Sequence, residues 1–321
     1  MEIIDAPNDR SSHSTPTARG GGLAISSTAV LFLLIQWLYW GDRALLTIML
    51  GLVVLMVVSF LDDLKPLPSS VRLLVHGCVA LGVLYLFEWP VVALQLSPLL
   101  TLPFPAVVGL ALGFLWLVGY MNAFNFMDGI NGLATGQVIV TSIGSIFVVG
   151  LGTGLWLEPA IMFYACLAGA ALGFLPFNYP QARMFMGDVG SIPLGFILAA
   201  IAIWVADRFG WFLLVPLTLL HTNFVLDTSL TIIRRAFSRE PIGDPHRDHF
   251  YQRLVRAGKS HAFVTNLEIG LQLLTVLLML YYHAAATTGR LCLIGATLLI
   301  WVAFFVFSET VFRSETKRNE C

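Results

Sequence analysis

From residue 23 to residue 312 the chain repeats one pattern: a mostly apolar run of about 17 to 24 residues, then a polar break. Ten runs meet or approach the ~20 residues a helix needs to cross a ~30 Å hydrocarbon core. They lie at 23–40, 44–61, 71–88, 105–124, 133–151, 159–177, 191–207, 210–233, 263–283 and 291–312. The pattern predicts an all-α fold, a polytopic membrane bundle of about ten transmembrane helices. No internal repeat or low-complexity tract divides it, so residues 1–321 read as one integral membrane domain. Its largest polar segment is the connection 234–262, where one Phe, one Tyr and a Leu-Val pair interleave with the charges and predict a short helix.

Composition agrees with the pattern and excludes a soluble domain: 57% of residues are hydrophobic and 12% charged, with a mean hydropathy of +0.82. The net charge of -1 carries little information, because in a membrane protein the placement of charge matters more than its sum. Of the 18 Lys and Arg, Arg43, Arg208 and Arg290 alone fall on the side opposite the N terminus. Positive charge is retained in the cytoplasm, so both termini and the even-numbered connections are expected there. The four Cys show no disulfide or metal-knuckle spacing. The polar stretch before residue 23 has no cleavable leader pattern, and the first run is expected to act as an uncleaved anchor.

Against this background the acidic residues stand out. Asp62 and Asp63 close the second run ("SFLDDLK"), Asp128 follows the fourth, Asp188 precedes the seventh and Asp227 lies inside the eighth. On the orientation just given, all reach the cytoplasmic end. Carboxylates at that depth are costly unless they meet cations, a metal or water, so a set converging from four runs marks a site. Taken singly, Asp63 reads as a solvated helix cap and Asp188 as a cap of the seventh helix. Adjacent Asp62 and Asp63 repel, however, and a divalent cation is the common remedy. Asp227 sits about six residues, or ~9 Å, inside its run and should face the bundle interior.

Hard oxygen ligands without a Cys or His cluster point to Mg²⁺, with Mn²⁺ as the second cation of that type. "TARGGG" (Thr17–Gly22) brings Arg19 and three Gly against a helix start. Free amides and the helix dipole could meet an anion there, and tight packing of the helix start is the alternative. Asn122, Asn125 and Asp128 recur every three residues and stack on one helical face, a polar stripe followed by Gly129 and Gly132. Hydrogen bonding between helices is the alternative for the Asn pair. His76 and His221 lie inside runs and read as packing or interhelical groups, while His283 faces the opposite compartment.

"DAPNDRSSHSTPTARGGG", "FLDD", "NAFNFMDGINGLA", "FLPFNYPQARMFMGDVGS" and "HRDHFYQRL" occur in this order along nearly the whole chain. In sequence and topology they resemble the polyprenyl-phosphate N-acetylhexosamine-1-phosphate transferases, the superfamily of MraY and WecA. The resemblance implies that undecaprenyl phosphate, a membrane lipid, attacks the β-phosphorus of a UDP-N-acetylhexosamine, giving an undecaprenyl-diphospho-sugar and UMP. It implies an active site on the cytoplasmic side of the bacterial inner membrane, Mg²⁺ dependence and no nucleic-acid partner, with a homodimer left open.

Carried over motif by motif, Asp188 resembles the principal metal ligand, with Asp128 beside it and Asn125 completing a polar floor. Asp62 and Asp63 match paired aspartates that handle the lipid phosphate, Asp62 being the better base. A phosphate monoester has its second pKa at about 6 and is already a competent nucleophile, so a base is not required. A two-step path through a covalent Asp is the alternative. Asn178 resembles a nucleotide-binding position, His13 in "RSSH" lines the same site, and Arg19 and Arg72 meet phosphates. His249 and, less directly, His246 resemble diphosphate or sugar contacts, with Arg247, Asn122 and Asp227 completing the substrate-binding set.

Two departures bear on specificity. Members that use UDP-N-acetylglucosamine (UDP-GlcNAc) carry an "HIHH"-like motif, whereas here His249 keeps the first position and Tyr251 and Gln252 take the other two. The pattern is similar to enzymes that initiate O-antigen or related lipopolysaccharide synthesis, some of which prefer 6-deoxy sugars such as N-acetylfucosamine (FucNAc). WecA-like members also have a further span before "DAPN", the motif near which this sequence starts. A secondary transporter using intramembrane carboxylates is the reading from another class, but it favours inverted repeats and a midplane site.

Overall fold

The computed structural model describes residues 4–5, 16–86, 93–97, 99–241 and 246–320; His13 and the "RSSH" motif lie outside them. Two short strands, β1 (Ile4–Asp5) and β2 (Thr17–Arg19), lead into α1 (Gly22–Trp40), α2 (Arg43–Leu64) and α3 (Ser69–Leu86). A hairpin of β3 (Ala93–Ser97) and β4 (Leu100–Pro103) precedes α4 (Ala106–Met127), α5 (Leu133–Thr153) and α6 (Pro159–Asn178). Then β5 (Met184–Phe185) pairs in parallel with β2 and delivers the chain to α7 (Asp188–Phe209). A 3₁₀ turn and α8 (Leu214–Leu219) precede α9 (Thr222–Phe237), α10 (Phe250–Arg256) is the short helix of the polar connection, and α11 (His261–Leu280) and α12 (Thr287–Glu320) follow.

The apolar runs are therefore helices, and the protein is an all-α membrane bundle. Among the described residues nine helices are long and apolar enough to cross a membrane, or ten when the bent pair formed by α8 and α9 counts as one span. That pair corrects the expectation of one continuous helix over 210–233. The chain bends by 69° there, and the Leu220 carbonyl accepts from side chains of α5 and α11.

Helix α7 is buried on every side from Val189 to Ala206, with α1, α2 and α4 packed around it, and only its last turn, at Asp207 and Arg208, reaches the surface. Two glycines set its approach to α1: a Cβ on Gly22 would lie 2.3 Å from the Gly190 Cα, so only glycines allow this crossing. The crossing brings the start of α7 against the start of α1, the end of α2 and the end of α4. Helix α12 has 34 residues and at 1.5 Å per residue is about 50 Å long, more than the ~30 Å core requires. Its far turns hold α10, through Ser308 Oγ donating to the Phe250 carbonyl at 2.6 Å and an ion pair between Glu309 and Arg253.

Candidate active site

The site is built on the first turn of α7. Gly187 enters it at φ 76°, and a side chain there would lie 2.9 Å from Asp63 Oδ2. Asp63 reaches across from the end of α2 and caps α7: Oδ1 accepts from the Asp188 amide at 3.1 Å and Oδ2 from the Val189 amide at 2.9 Å. A carboxylate at this helix end satisfies two orphan amides and meets the positive end of the dipole. Asp188 itself projects from the same turn. Its Oδ1 accepts from Arg19 Nη2 and Asn125 Nδ2, each at 3.0 Å.

Two arginines tie the carboxylates together. Arg19 spans Asp63 (Nε to Oδ1, 3.0 Å) and Asp188, while Arg72 Nη1 lies 3.0 Å from Asp62 Oδ2 and 3.6 Å from Asp188 Oδ2. The other oxygen of Asp62 accepts from the Leu67 amide at 2.6 Å. Asp128, the residue that ends α4, is half-buried within electrostatic reach of this group. Burial pushes its carboxyl well above the usual carboxylate range; Arg19 opposes the shift and the charges of Asp188 and Asp63 reinforce it.

Beside the carboxylates opens a cavity of about 550 Å³. Arg72 and His76 of α3, Asn122 and Asn125 of α4, Asp188 of α7 and His249 from the polar connection all face it. Asn125 and Asn122 thus do share a face of α4. His249 is buried at 2% exposure, and its Nδ1 lies 2.8 Å from Asp227 Oδ1, while Asp227 Oδ2 accepts from the Tyr251 amide at 3.4 Å. The carboxylate fixes the Nδ1–H tautomer and leaves Nε2 as the ring nitrogen available to the cavity. His246 stacks loosely on His249, with ring centroids 5.1 Å apart. Burial, followed by the charges of His249 and Arg235, lowers its pKa to about 4.

The sequence profile of glycosyl transferase family 4 matches residues 45–206, which hold the α2 aspartates, Arg72, the α4 stripe, Asn178 and Asp188. The chain belongs to this family. Among its relatives, the probable undecaprenyl-phosphate N-acetylglucosaminyl 1-phosphate transferase of Bacillus subtilis is 30% identical over 80% of this chain and 71% of the relative. The decaprenyl-phosphate N-acetylglucosaminephosphotransferase of Mycolicibacterium smegmatis is 32% identical over 79% of this chain and 69% of the relative. A phospho-N-acetylmuramoyl-pentapeptide-transferase of Leuconostoc mesenteroides is 29% identical over 71% and 72%. These similarities support the polyprenyl-phosphate hexosamine-1-phosphate transferase superfamily, and nothing in them favours a transporter.

Several family 4 residues hold places that the sequence alone does not reveal. Asn178 is 3% exposed: Oδ1 accepts from the Gly132 amide and Thr135 Oγ1, and Nδ2 donates to the Met184 carbonyl, so it clamps the start of α5 to β5. The amides of Gly20, Gly21 and Gly22 all donate to the carbonyls of Phe185 and Met186, so the glycine-rich turn packs a helix start and Arg19 is what the motif brings to the site. Asp227 is 1% exposed and touches His249 rather than the cavity. Arg247 does not line the cavity; its carbonyl accepts from Arg256.

Other residues take parts that sequence reasoning missed. Tyr251 donates from Oη to the Phe126 carbonyl at 2.8 Å, in space that exists because Gly129 has no Cβ. Gln252 lines the cavity and accepts from the His249 amide through Oε1. His76, read from its run as a packing or interhelical group, does meet Asn122 of α4 at 3.4 Å, and what the run did not show is that it also lines the cavity. The signals were there in helical spacing: Arg72 and His76 lie four residues apart on one face of α3.

The donor set suits a small hard divalent cation. The two guanidiniums leave Asp62, Asp63 and Asp188 one formal charge short of neutrality, the neighbouring Asp128 is pushed towards its neutral form, and every candidate ligand is oxygen. Among the described residues no three Asp, Glu, His or Cys side chains close a metal cage. Mg²⁺ commonly takes one or two carboxylates and completes its shell with phosphate oxygens and water.

Proposed function

We propose that this protein transfers an N-acetylhexosamine-1-phosphate from a UDP-sugar to undecaprenyl phosphate, with Asp188 and Asp128 holding Mg²⁺. The convergence of Asp188, Asp128, Arg19 and Arg72 at one end of the bundle, beside the cavity that His249 lines, carries this reading. The names of the relatives support it. A lipid phosphate lies at headgroup depth and a nucleotide sugar arrives from the aqueous side, so both can meet where α2, α4 and α7 end or begin.

In the reaction a phosphate oxygen of the lipid attacks the β-phosphorus, and the bond from that phosphorus to the bridging oxygen breaks. UMP departs with the bridging oxygen. Phosphoryl transfer asks the protein mainly to position groups and neutralise charge. When bound, held by Asp188 and Asp128, the metal would supply Lewis-acid neutralisation of the diphosphate's charge. Arg72 and Arg19 present guanidinium donors to phosphate and are held by Asp62 and Asp63. Because both oxygens of Asp62 are engaged, its role here is to aim Arg72, and the lipid phosphate serves as its own nucleophile. His249, fixed by Asp227, offers Nε2 as an acceptor to a sugar hydroxyl, or as a donor to the diphosphate when the ring is protonated on both nitrogens.

The finer reading places the protein in a bacterial cytoplasmic membrane with this site inward, starting O-antigen or a related envelope polysaccharide. Either UDP-GlcNAc or a 6-deoxy donor such as UDP-FucNAc serves, with Tyr251 and Gln252 where the GlcNAc-type motif has His. The test supplies purified protein with undecaprenyl phosphate, Mg²⁺ and a panel of UDP-N-acetylhexosamines, and measures lipid product and UMP. Product with one donor, lost on adding EDTA and restored by Mg²⁺ or Mn²⁺, is the expected result. Folded protein that yields no product with any donor would overturn the reading.

A further inference from the structure

The segment that carries His249 and Gln252 into the cavity is held from outside the transfer site as well as from within it. Helix α10 has seven residues, too few for its own hydrogen bonds to fix its direction. His249 immediately precedes its first turn, so the ring is aimed by the peptide between Asp248 and His249, which is planar and moves as one unit. The amide of that peptide donates to Gln252 Oε1 at 3.3 Å. Its carbonyl accepts from Arg253 Nε at 3.2 Å and from Arg234. Arg253 is in turn held by α12: it pairs with Glu309, and its guanidinium lies 4.9 Å from the centre of the Phe312 ring. Arg256 takes the same distance from the same ring. Ser308 Oγ donates to the Phe250 carbonyl at 2.6 Å, and the rings of Phe250 and Phe305 lie 4.7 Å apart.

We propose that Ser308, Glu309 and Phe312 of α12 are positioning residues for the transfer, acting through Arg253 and the Asp248–His249 peptide to set His249 in the cavity. The inference rests on the function proposed above. The turns from Ser308 onward begin about 30 Å along α12 from Thr287, so crossing the ~30 Å core does not require them. The side chains of Arg253 and Glu309 are 13% and 24% exposed, and a pair so placed is screened less than one on the surface. Phe250 and Arg253, three residues apart, share one face of α10, and Tyr251 points to another. On the cavity side Asp227 holds His249 Nδ1, and the Phe126 carbonyl takes Tyr251 Oη. Loss of the α12 contacts leaves α10 free to turn about those two. A shift of about 1 Å in a group that positions substrate can cost about 10²-fold in rate.

The test uses the full chain in nanodiscs and follows turnover with the donor that gives lipid product, alongside hydrogen–deuterium exchange without substrate. Glu309→Gln and Phe312→Leu should each lower kcat about tenfold or more. The KM for undecaprenyl phosphate should stay as in the wild type, and exchange should rise in residues 249–256 but not in α1 to α7. In a His249→Ala background no ring remains to be placed, so either substitution should cost less than about twofold further. Arg313→Gln is the control: Arg313 also pairs with Glu309 but is an exposed side chain, and its loss should leave kcat unchanged. Phe312→Leu keeps the ion pair, so the test stands if Glu309→Gln does not fold. Wild-type kcat in both variants, an equal loss in both backgrounds, or unchanged exchange in residues 249–256 would overturn the inference. A wild type that yields no product with any donor instead fails the proposed transfer, and the exchange measurement still decides whether α12 holds the His249 segment.

Discussion

Asp188 is the residue on which the site turns, because it alone faces the cavity while touching both arginines and Asn125. Replacing it with Ala removes the expected metal ligand but leaves Asp63 to cap α7 through the backbone amides. Turnover should therefore fall by about 10²–10³-fold or more, with normal membrane insertion and a Tm close to that of the wild type in detergent. Asp227 works differently, since it touches His249 and not the cavity. In Asp227→Asn the amide NH₂ donates to Nδ1 and forces the proton to Nε2, so kcat should drop about 10–100-fold. Asp227→Glu should recover part of it, a rescue that a purely packing role would not give. His246 carries a pH signature. Its folded pKa of about 4 lies below the ordinary 6.5, so the unfolded chain binds more protons between those values. Stability should be lost as pH falls from about 6.5 towards 4 and be flat above that window, with a shallower fall in His246→Asn when Tm is followed against pH.

At the scale of elements, two devices place the first turn of α7: the cap from Asp63 and the bare crossing of Gly22 with Gly190. A Cβ on Gly190 would meet the Gly22 Cα at 2.5 Å, and both partners are backbone, so neither can swing aside. Gly190→Ala should cost about 1–3 kcal/mol through overpacking. Activity should fall with it, because pushing α1 away moves Arg19 from Asp188. Gly173→Ala in α6 is the matched control, with no heavy atom within 4 Å of its added methyl, and there helix propensity predicts a gain of up to about 1 kcal/mol. Thermal unfolding of the two variants side by side separates the crossing from a general intolerance of added bulk. The same crossing explains why the glycine-rich turn was ambiguous in sequence. Three glycines before a helix suit an anion cradle and a close helix contact equally well, and only the carbonyls of Phe185 and Met186, more than 160 positions along the chain, decide between them.

Over the whole molecule, apolar run length located the spans to within a few residues, because hydrocarbon thickness imposes that length whatever the neighbours do. It missed the bend at Leu220, where side chains from α5 and α11 support the break and the nearest breaker, Pro216, lies four residues earlier inside α8. The carboxylates were legible for a similar reason: charge at membrane depth is conspicuous in any sequence. Their division of labour was not. Asp62 and Asp63 are adjacent in sequence, yet one aims Arg72 and the other caps α7, a difference made by helices brought together only in the fold. Positive-charge bias makes a claim about the entire chain at once. Fifteen of the 18 Lys and Arg fall on the N-terminal side of the alternating topology, and since a single miscounted span would exchange the sides of every later loop, the bias and the span count must stand together. In a background without the native cysteines, Arg239→Cys in the connection after α9 should react with an impermeant thiol reagent only from the cytoplasmic side. Leu157→Cys between α5 and α6 should react only from the other. Labelling of both from one side would require an odd error in the spans between them, and with it a site on the wrong face of the membrane for a cytoplasmic nucleotide sugar.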